Sequence, residues 1–225
     1  MDWAGVPVLM YHRIDAQLPH DRVGRDLTVQ PGAFEAQLRY LRDRGIRTIT
    51  AAELVAALRR GERPEKTVVL TFDDGYQDAA TSAFPLLRKY GARATFFVSA
   101  GFVGTPRHVT WREMREMRAA GMEIACHGTE HRDLSRLNFA GQMSEAGHCV
   151  TAFARYMSGW EAQTYAYPAG KYDAITLQLM PALGVWAAFT EAPGTVRSLV
   201  RPYQLPRRRV SHGDGVERFA ALAQP

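Results

Sequence analysis

The sequence predicts an α/β fold: a parallel sheet wrapped by helices and closed, or nearly closed, into a barrel. Two observations carry this expectation. Short apolar runs alternate with longer amphipathic stretches along most of the chain, the pattern of strands buried between helices. One run, Thr67 to Phe72, is apolar almost throughout, as expected of a strand covered on both faces. About seven strand–helix units in a chain of this length suit a barrel better than a doubly wound sheet. One domain spanning residues 1–225 is expected.

The elements follow in order. Val6 to Tyr11 reads as the first strand. Pro31 to Arg44 reads as a helix, with Phe34, Leu38 and Leu41 on one face and Gly45 as its stop. Arg47 to Thr50 is a short strand. Ala51 to Arg60 is a helix capped by Thr50, with Glu53 in the capping-box position. After the strand Thr67 to Phe72 come a helix from Gln77 to Tyr90, a strand from Ala94 to Val98, and a helix from Trp111 to Ala120 behind a Thr110 cap. Met122 to Cys126 is a strand. Phe139 to Tyr156 reads as one long helix with an imperfect apolar stripe. Thr164 to Tyr167, Asp173 to Leu183 and Val185 to Phe189 read as strand, helix and strand. Arg208 to Val210 is a last strand before a short helix ending near Ala223. Ala192 to Pro206 has no assignable pattern.

Composition bounds the function. Of 225 residues, 46% are hydrophobic and 23% charged, which argues against disorder and for a sizeable core. No run of about 18 apolar residues occurs, so no membrane span is expected. The net charge of +5 is spread along the chain apart from Arg207-Arg208-Arg209, read as solvated, so no nucleic-acid partner is expected. Met1-Asp2-Trp3-Ala4-Gly5 lacks a signal-peptide pattern. The chain as it stands would be cytoplasmic, or extracytoplasmic if an export signal is missing. Cys126 and Cys149 allow at most one disulfide, and Cys126 reads as a small buried residue rather than a redox group. Oligomeric state is not legible.

Reactive residues of a parallel barrel gather at the carboxyl ends of its strands. There the chain places His12 after the first strand, Asp73-Asp74-Gly75 after Phe72, His127 and His131 after Cys126, and Pro168-Ala169-Gly170 after Tyr167. Adjacent carboxylates repel unless a cation lies near. In extended chain they also point in opposite directions, so one can bind a metal while the other handles a proton. A helix N-cap is the competing explanation for this pair. Two imidazoles separated by three residues can hold one metal, or can be two solvated loop histidines. With Asp74 they form a two-His-one-carboxylate set that leaves coordination positions open for water and substrate.

Together these segments resemble the NodB-like polysaccharide deacetylases, carbohydrate esterase family four. The matching stretches are Thr71-Phe72-Asp73-Asp74-Gly75-Tyr76, Ala94-Thr95-Phe96-Phe97-Val98, Thr110-Trp111, Gly121 to His131 with Leu134, and Tyr165-Ala166-Tyr167-Pro168-Ala169-Gly170. The resemblance implies a distorted, incomplete (β/α)7-type barrel. It also implies a hydrolase removing N-acetyl groups from N-acetylglucosamine-type polysaccharide or oligosaccharide with a divalent metal, usually zinc. Asp74, His127 and His131 would be the metal ligands and Asp73 the general base. A backbone N–H near Ala169 would hold the oxyanion. Tyr76, Tyr167, Trp111 and Trp186 are aromatic candidates for sugar stacking, with core packing the stronger expectation for Trp186 and at least one tyrosine.

The sequence departs from the family pattern in places. Ala166 and Ala169 stand where the family carries an Arg that orients the base and an aromatic residue, and Gly128 replaces a Ser or Thr. Losing the Arg would remove a charge that keeps Asp73 ionised. The family's late Leu-x-His strand is not evident near the C-terminus. Pro7-Val8-Leu9-Met10-Tyr11-His12-Arg13 resembles that strand moved to the front, as in the permuted branch that includes poly-N-acetylglucosamine deacetylases. On this reading His12 is the general acid and His212 its rival. Two other readings stand beside the deacetylase: a C–N hydrolase of small cyclic amides or imides on the same barrel, and an inactive sugar-binding module.

Overall fold

The computed structural model describes residues 3–224. Its first half runs β1 (Val6–Tyr11), β2 (Arg13–Ile14), α1 (Arg22–Asp26), β3 (Thr28–Val29), α2 (Pro31–Asp43), β4 (Arg47–Ile49) and α3 (Ala51–Arg59). There follow β5 (Thr67–Phe72), α4 (Phe84–Lys89), β6 (Thr95–Val98), α5 (Trp111–Ala119) and β7 (Glu123–Cys126). The remainder is α6 (Phe139–Gln142), α7 (His148–Tyr156), β8 (Thr164–Ala166), α8 (Ala174–Ala182), β9 (Ala187–Phe189), β10 (Thr195–Val196), β11 (Arg208–Arg209) and α9 (Val216–Ala223).

Strands β1, β5, β6, β7, β8 and β9 pair in parallel in that order, and β4 and β11 add parallel partners to β5 and β1. Among the described strands only β10 is antiparallel, against β1. The sheet curls through 245° into the incomplete barrel the sequence predicts. Side chains alternate between its two faces, as the two-residue period of a strand requires. On β5, Val68, Leu70 and Phe72 face the large outer core shared with the helices, while Val69 joins an inner core with Val8, Phe97, Ala125, Ala166 and Phe189. Helix α3 contributes Ala51, Leu54 and Val55 to that inner cluster. Its expected Thr50–Glu53 capping box is present.

Two differences from the predicted elements bear on the site. The expected helix over Phe139 to Tyr156 is interrupted by a π-helical turn at Met143–Gly147 between α6 and α7. The wide turn shifts the helical phase, which accounts for the imperfect stripe. The stretch Ala192 to Pro206, unassigned from sequence, contains β10 and then runs back along β9. There Ala188 N–H donates to Pro202 O, and Leu205 and Ala188 are joined by a hydrogen bond of 3.0 Å. Beyond Pro206, β11 pairs with β1. This irregular segment therefore bridges the last long strand to the first.

Candidate active site

Strand register assembles the site. Tyr11 of β1 lies opposite Phe72 of β5, and Asp73 N–H donates to Tyr11 O at 3.0 Å. The residues that follow, His12 and Asp73, thus emerge side by side. Val98 of β6 lies opposite Cys126 of β7, and His127 N–H donates to Val98 O, which sets His127 on the same rim. Asp73 continues the inward alternation of Val69 and Thr71. Asp74 then adopts a positive φ of 75°, and Gly75 follows at 81°. A Cβ on Gly75 would lie 2.5 Å from Val98 Cγ1, so glycine is required for this close turn. The turn aims Asp74 away from Asp73 and toward the histidines.

Asp74, His127 and His131 converge, with their candidate ligand atoms all within 4.8 Å of one another. Asp74 Oδ1 is 3.4 Å from His127 Nε2 and 3.3 Å from His131 Nε2. His127 Nδ1–H donates to Ala166 O at 2.8 Å, which fixes the tautomer and leaves the Nε2 lone pair facing the cluster. Asp74 Oδ1 is buried and has no hydrogen-bond partner. Two imidazole nitrogens and an orphaned carboxylate oxygen around one point fit a divalent cation of the zinc type. Burial alone would raise the Asp74 carboxyl, but His127 and His131, when protonated, outweigh it and hold it well below the usual range.

Asp73 sits 2% exposed in a different environment. Arg207 grips it with two bonds of 2.7 Å, Nη1 to Oδ1 and Nη2 to Oδ2. The guanidinium is 1% exposed, donates also to Thr71 Oγ1 and Thr190 O, and lies over the Phe97 ring at 5.6 Å. Burial pushes the Asp73 carboxyl up, but Arg207 and then His127 prevail and keep it below its ordinary value. The sequence-based expectation that Asp73 lacks its charge partner is therefore corrected. Arg207, read as part of a solvated triplet, does what Ala166 cannot. It arrives from the segment bridging β9 and β1, which had no assigned structure.

His12 is 7% exposed, and its Nδ1 has no hydrogen-bond partner. Burial lowers its pKa, the charges of Asp73 and Asp74 pulling the other way. His212 is exposed instead, its N–H held by Asp26 O and its Nδ1 3.2 Å from Thr28 O, beside β3. Tyr76 is half-buried, stacks on His108 and carries Arg13 over its ring at 5.0 Å. Its hydroxyl is pushed up to about 12, by burial first and then by the Asp74 charge. Ala169 occupies the turn after β8 at φ 51°, next to Pro168, whose Cγ lies 3.1 Å from where a Cβ on Gly128 would stand.

Two other expectations are corrected. Tyr167 is fully buried, stacked on Tyr172, with its hydroxyl donating to Tyr203 O, so it offers no face to a sugar. Trp111 packs on Phe153 and Tyr156 at ring distances of 5.2 and 4.8 Å, which commits its ring to the α5–α7 contact. Trp186 precedes β9 at the opposite end of the barrel, under Arg59, in line with a packing role. Cys126 is buried as expected but is bridged to Cys149.

Such a half-barrel, with paired acids and histidines at its carboxyl rim, defines a hydrolase of the deacetylase class. Residues 60–188 match the polysaccharide deacetylase family, and the chain belongs to that family. The Bacillus subtilis protein YxkH, named as a polysaccharide deacetylase, is 35% identical over 98% of this chain and 77% of its own length. A Staphylococcus aureus poly-β-1,6-N-acetyl-D-glucosamine N-deacetylase is 24% identical over 83% of this chain and 69% of its own. The solved structure of the Streptococcus pyogenes deacetylase PplD in complex with acetate superimposes with a TM-score of 0.91 at 30% identity, over 98% of this chain and 99% of that one.

Proposed function

We propose that this deacetylase removes N-acetyl groups from an N-acetylglucosamine-type polysaccharide or oligosaccharide, with a divalent metal held by Asp74, His127 and His131. The observation that carries the reading is the division of labour between adjacent carboxylates. Asp73 is neutralised by Arg207 and Asp74 faces two imidazoles with an unpaired oxygen. The metal would polarise the acetyl carbonyl and ease deprotonation of the attacking water.

The chain's own residues do the rest. Asp73, kept ionised by Arg207, accepts the proton of the attacking water. His12, in register beside it, donates to the leaving amine, and its lowered pKa makes the protonated ring a readier donor. The backbone in the turn at Ala169 supports the oxyanion. Tyr76 walls the site on the Asp74 side. The buried pair Asp73–Arg207 also weighs against an inactive binding module, because a sugar platform gains nothing from an ion pair buried behind it. The Cys126–Cys149 bridge supports an oxidising, extracytoplasmic setting, to be checked by thiol titration of the native protein.

The test is acetate release from N-acetylglucosamine oligomers, with and without chelator, alongside metal analysis. Chelator-sensitive release is the expected result; turnover of small cyclic imides instead of oligomers would refute the substrate assignment. In the same assay His12→Ala should slow release by about 10²–10⁴-fold, the usual contribution of a general acid. His212→Ala should leave it near the parent rate; the reverse order would move the acid to the C-terminal loop.

A further inference from the structure

Glu145 lies in the π-helical turn Met143–Gly147, 2% exposed, and faces the segment between the two histidines. Its Oε1 accepts the backbone N–H of Thr129 at 2.9 Å, Glu130 at 2.9 Å and Arg132 at 3.1 Å, and Oε2 accepts Glu130 again at 3.1 Å. Its own backbone oxygen accepts the Thr129 hydroxyl at 2.8 Å. Among the described residues no Lys, Arg or His forms an ion pair with it. A buried carboxylate is costly unless its charge is met. Here three peptide dipoles meet it, all from the His127–His131 loop and its next residue.

The opposite side of the loop is also held. The carbonyls of His127, Gly128 and Thr129 accept from Ser99 Oγ, Ala100 N–H and Gly101 N–H, each at 2.9 Å. Between these two sets of bonds the backbone takes positive φ at Gly128 (78°) and at His131 (56°). For a residue with a Cβ such as His131, that conformation costs free energy and persists only when surroundings enforce it. At Gly128 a Cβ would lie 2.4 Å from Glu145 Oε1, so glycine there is what admits the carboxylate. The helix bearing Glu145 is itself fixed. Cys149, four residues further along, is bridged to Cys126, the residue immediately before His127.

Resting on the metal reading given above, we infer that Glu145 is a positioning residue for the metal site. It gathers the amides of the loop and holds His131 in its strained backbone conformation, so that its imidazole meets Asp74 and His127. The Cys126–Cys149 bridge sets the distance from which Glu145 does so. Glu145 touches neither the cation nor the substrate; it sets the spacing of the ligands.

The test is cobalt(II) titration of the full chain, read by its visible absorption bands, with a thermal melt of the metal-free protein alongside. Glu145→Gln keeps the shape and one carbonyl acceptor but removes the charge and the second acceptor oxygen. Cobalt affinity should fall about 10–100-fold, the usual effect of losing a ligand's supporting partner. The bands should also change in shape, because the ligands are no longer held in one arrangement. Thr129→Val, which removes only the hydroxyl bond to the Glu145 backbone, should bind cobalt nearly as the parent does. If Glu145→Gln fails to fold, Gly128→Ala, which drives a methyl group into the carboxylate, carries the same expectation for affinity and spectrum. Parental affinity and parental bands in a folded variant would overturn the role of Glu145 alone. A parent chain that binds no cobalt would instead refute the Asp74–His127–His131 site, and this inference with it.

Discussion

The two ends of the barrel carry polar clusters built on the same strands, and they are finished differently. At the amino end, the Glu123 carboxylate at the start of β7 accepts from Ala52 N–H, Thr95 Oγ1–H and Thr164 Oγ1–H, while Thr95 Oγ1 accepts from Ala51 N–H. Every bond there joins protein to protein. At the carboxyl end, Asp74 Oδ1 and His12 Nδ1 are buried without partners. The contrast teaches that polarity in a barrel mouth is not the mark of a site. Bonds left open for something outside the chain are, since an unpaired buried polar atom costs about 1–3 kcal/mol unless a ligand completes it.

This comparison can be broken in order of expected effect. Asp73→Asn should lower acetate release by about 10²–10⁴-fold while cobalt still binds, because the proton acceptor and the counter-ion of Arg207 are lost but no proposed cation ligand is; loss of metal from a folded variant would show that the roles of the two aspartates are misassigned. Arg207→Met should come next. It strands a buried carboxylate, and unfolding by urea should show a loss of about 3–5 kcal/mol. Arg207→Lys should recover only part of this, since an ammonium cannot reproduce the two-point grip; an unchanged urea midpoint in Arg207→Met would mean that the pair contributes nothing to the fold. The smallest effect belongs to the amino end. Thr95→Val should cost about 1–3 kcal/mol by leaving Ala51 N–H and Glu123 short of a partner, with no change in rate. A tenfold rate loss in that variant would erase the distinction between the two ends.

Legibility in the sequence followed the same division. Asp73-Asp74-Gly75 and the His127–His131 spacing are local, each attached to the end of one apolar strand, and strand periodicity placed them on a common rim. The parallel alternation likewise exposed nearly every long strand. Arg207 had no such signal. It stands 134 residues from Asp73 and beside two more arginines with other tasks. Arg208 caps the C-terminal carbonyls through Leu222 O, and Arg209 pairs with Glu191. No local pattern separates the three. The hint was indirect: a base left without its cation at Ala166 demanded one from elsewhere. Glu145 was hidden for another reason. A π-turn adds a residue to the helical period, so a 3.6-residue reading assigns the wrong face.

Strand β1 and the segment leading into β11 meet at one seam, with Arg207 inside it. Synthesis therefore delivers the proton acceptor, the cation ligands and their loop long before the guanidinium that completes the pocket. A nascent polypeptide halted between residues 131 and 206 would hold all three proposed metal-binding side chains yet leave Asp73 without its counter-ion. Competence would wait until the segment bearing Arg207 docks against β1.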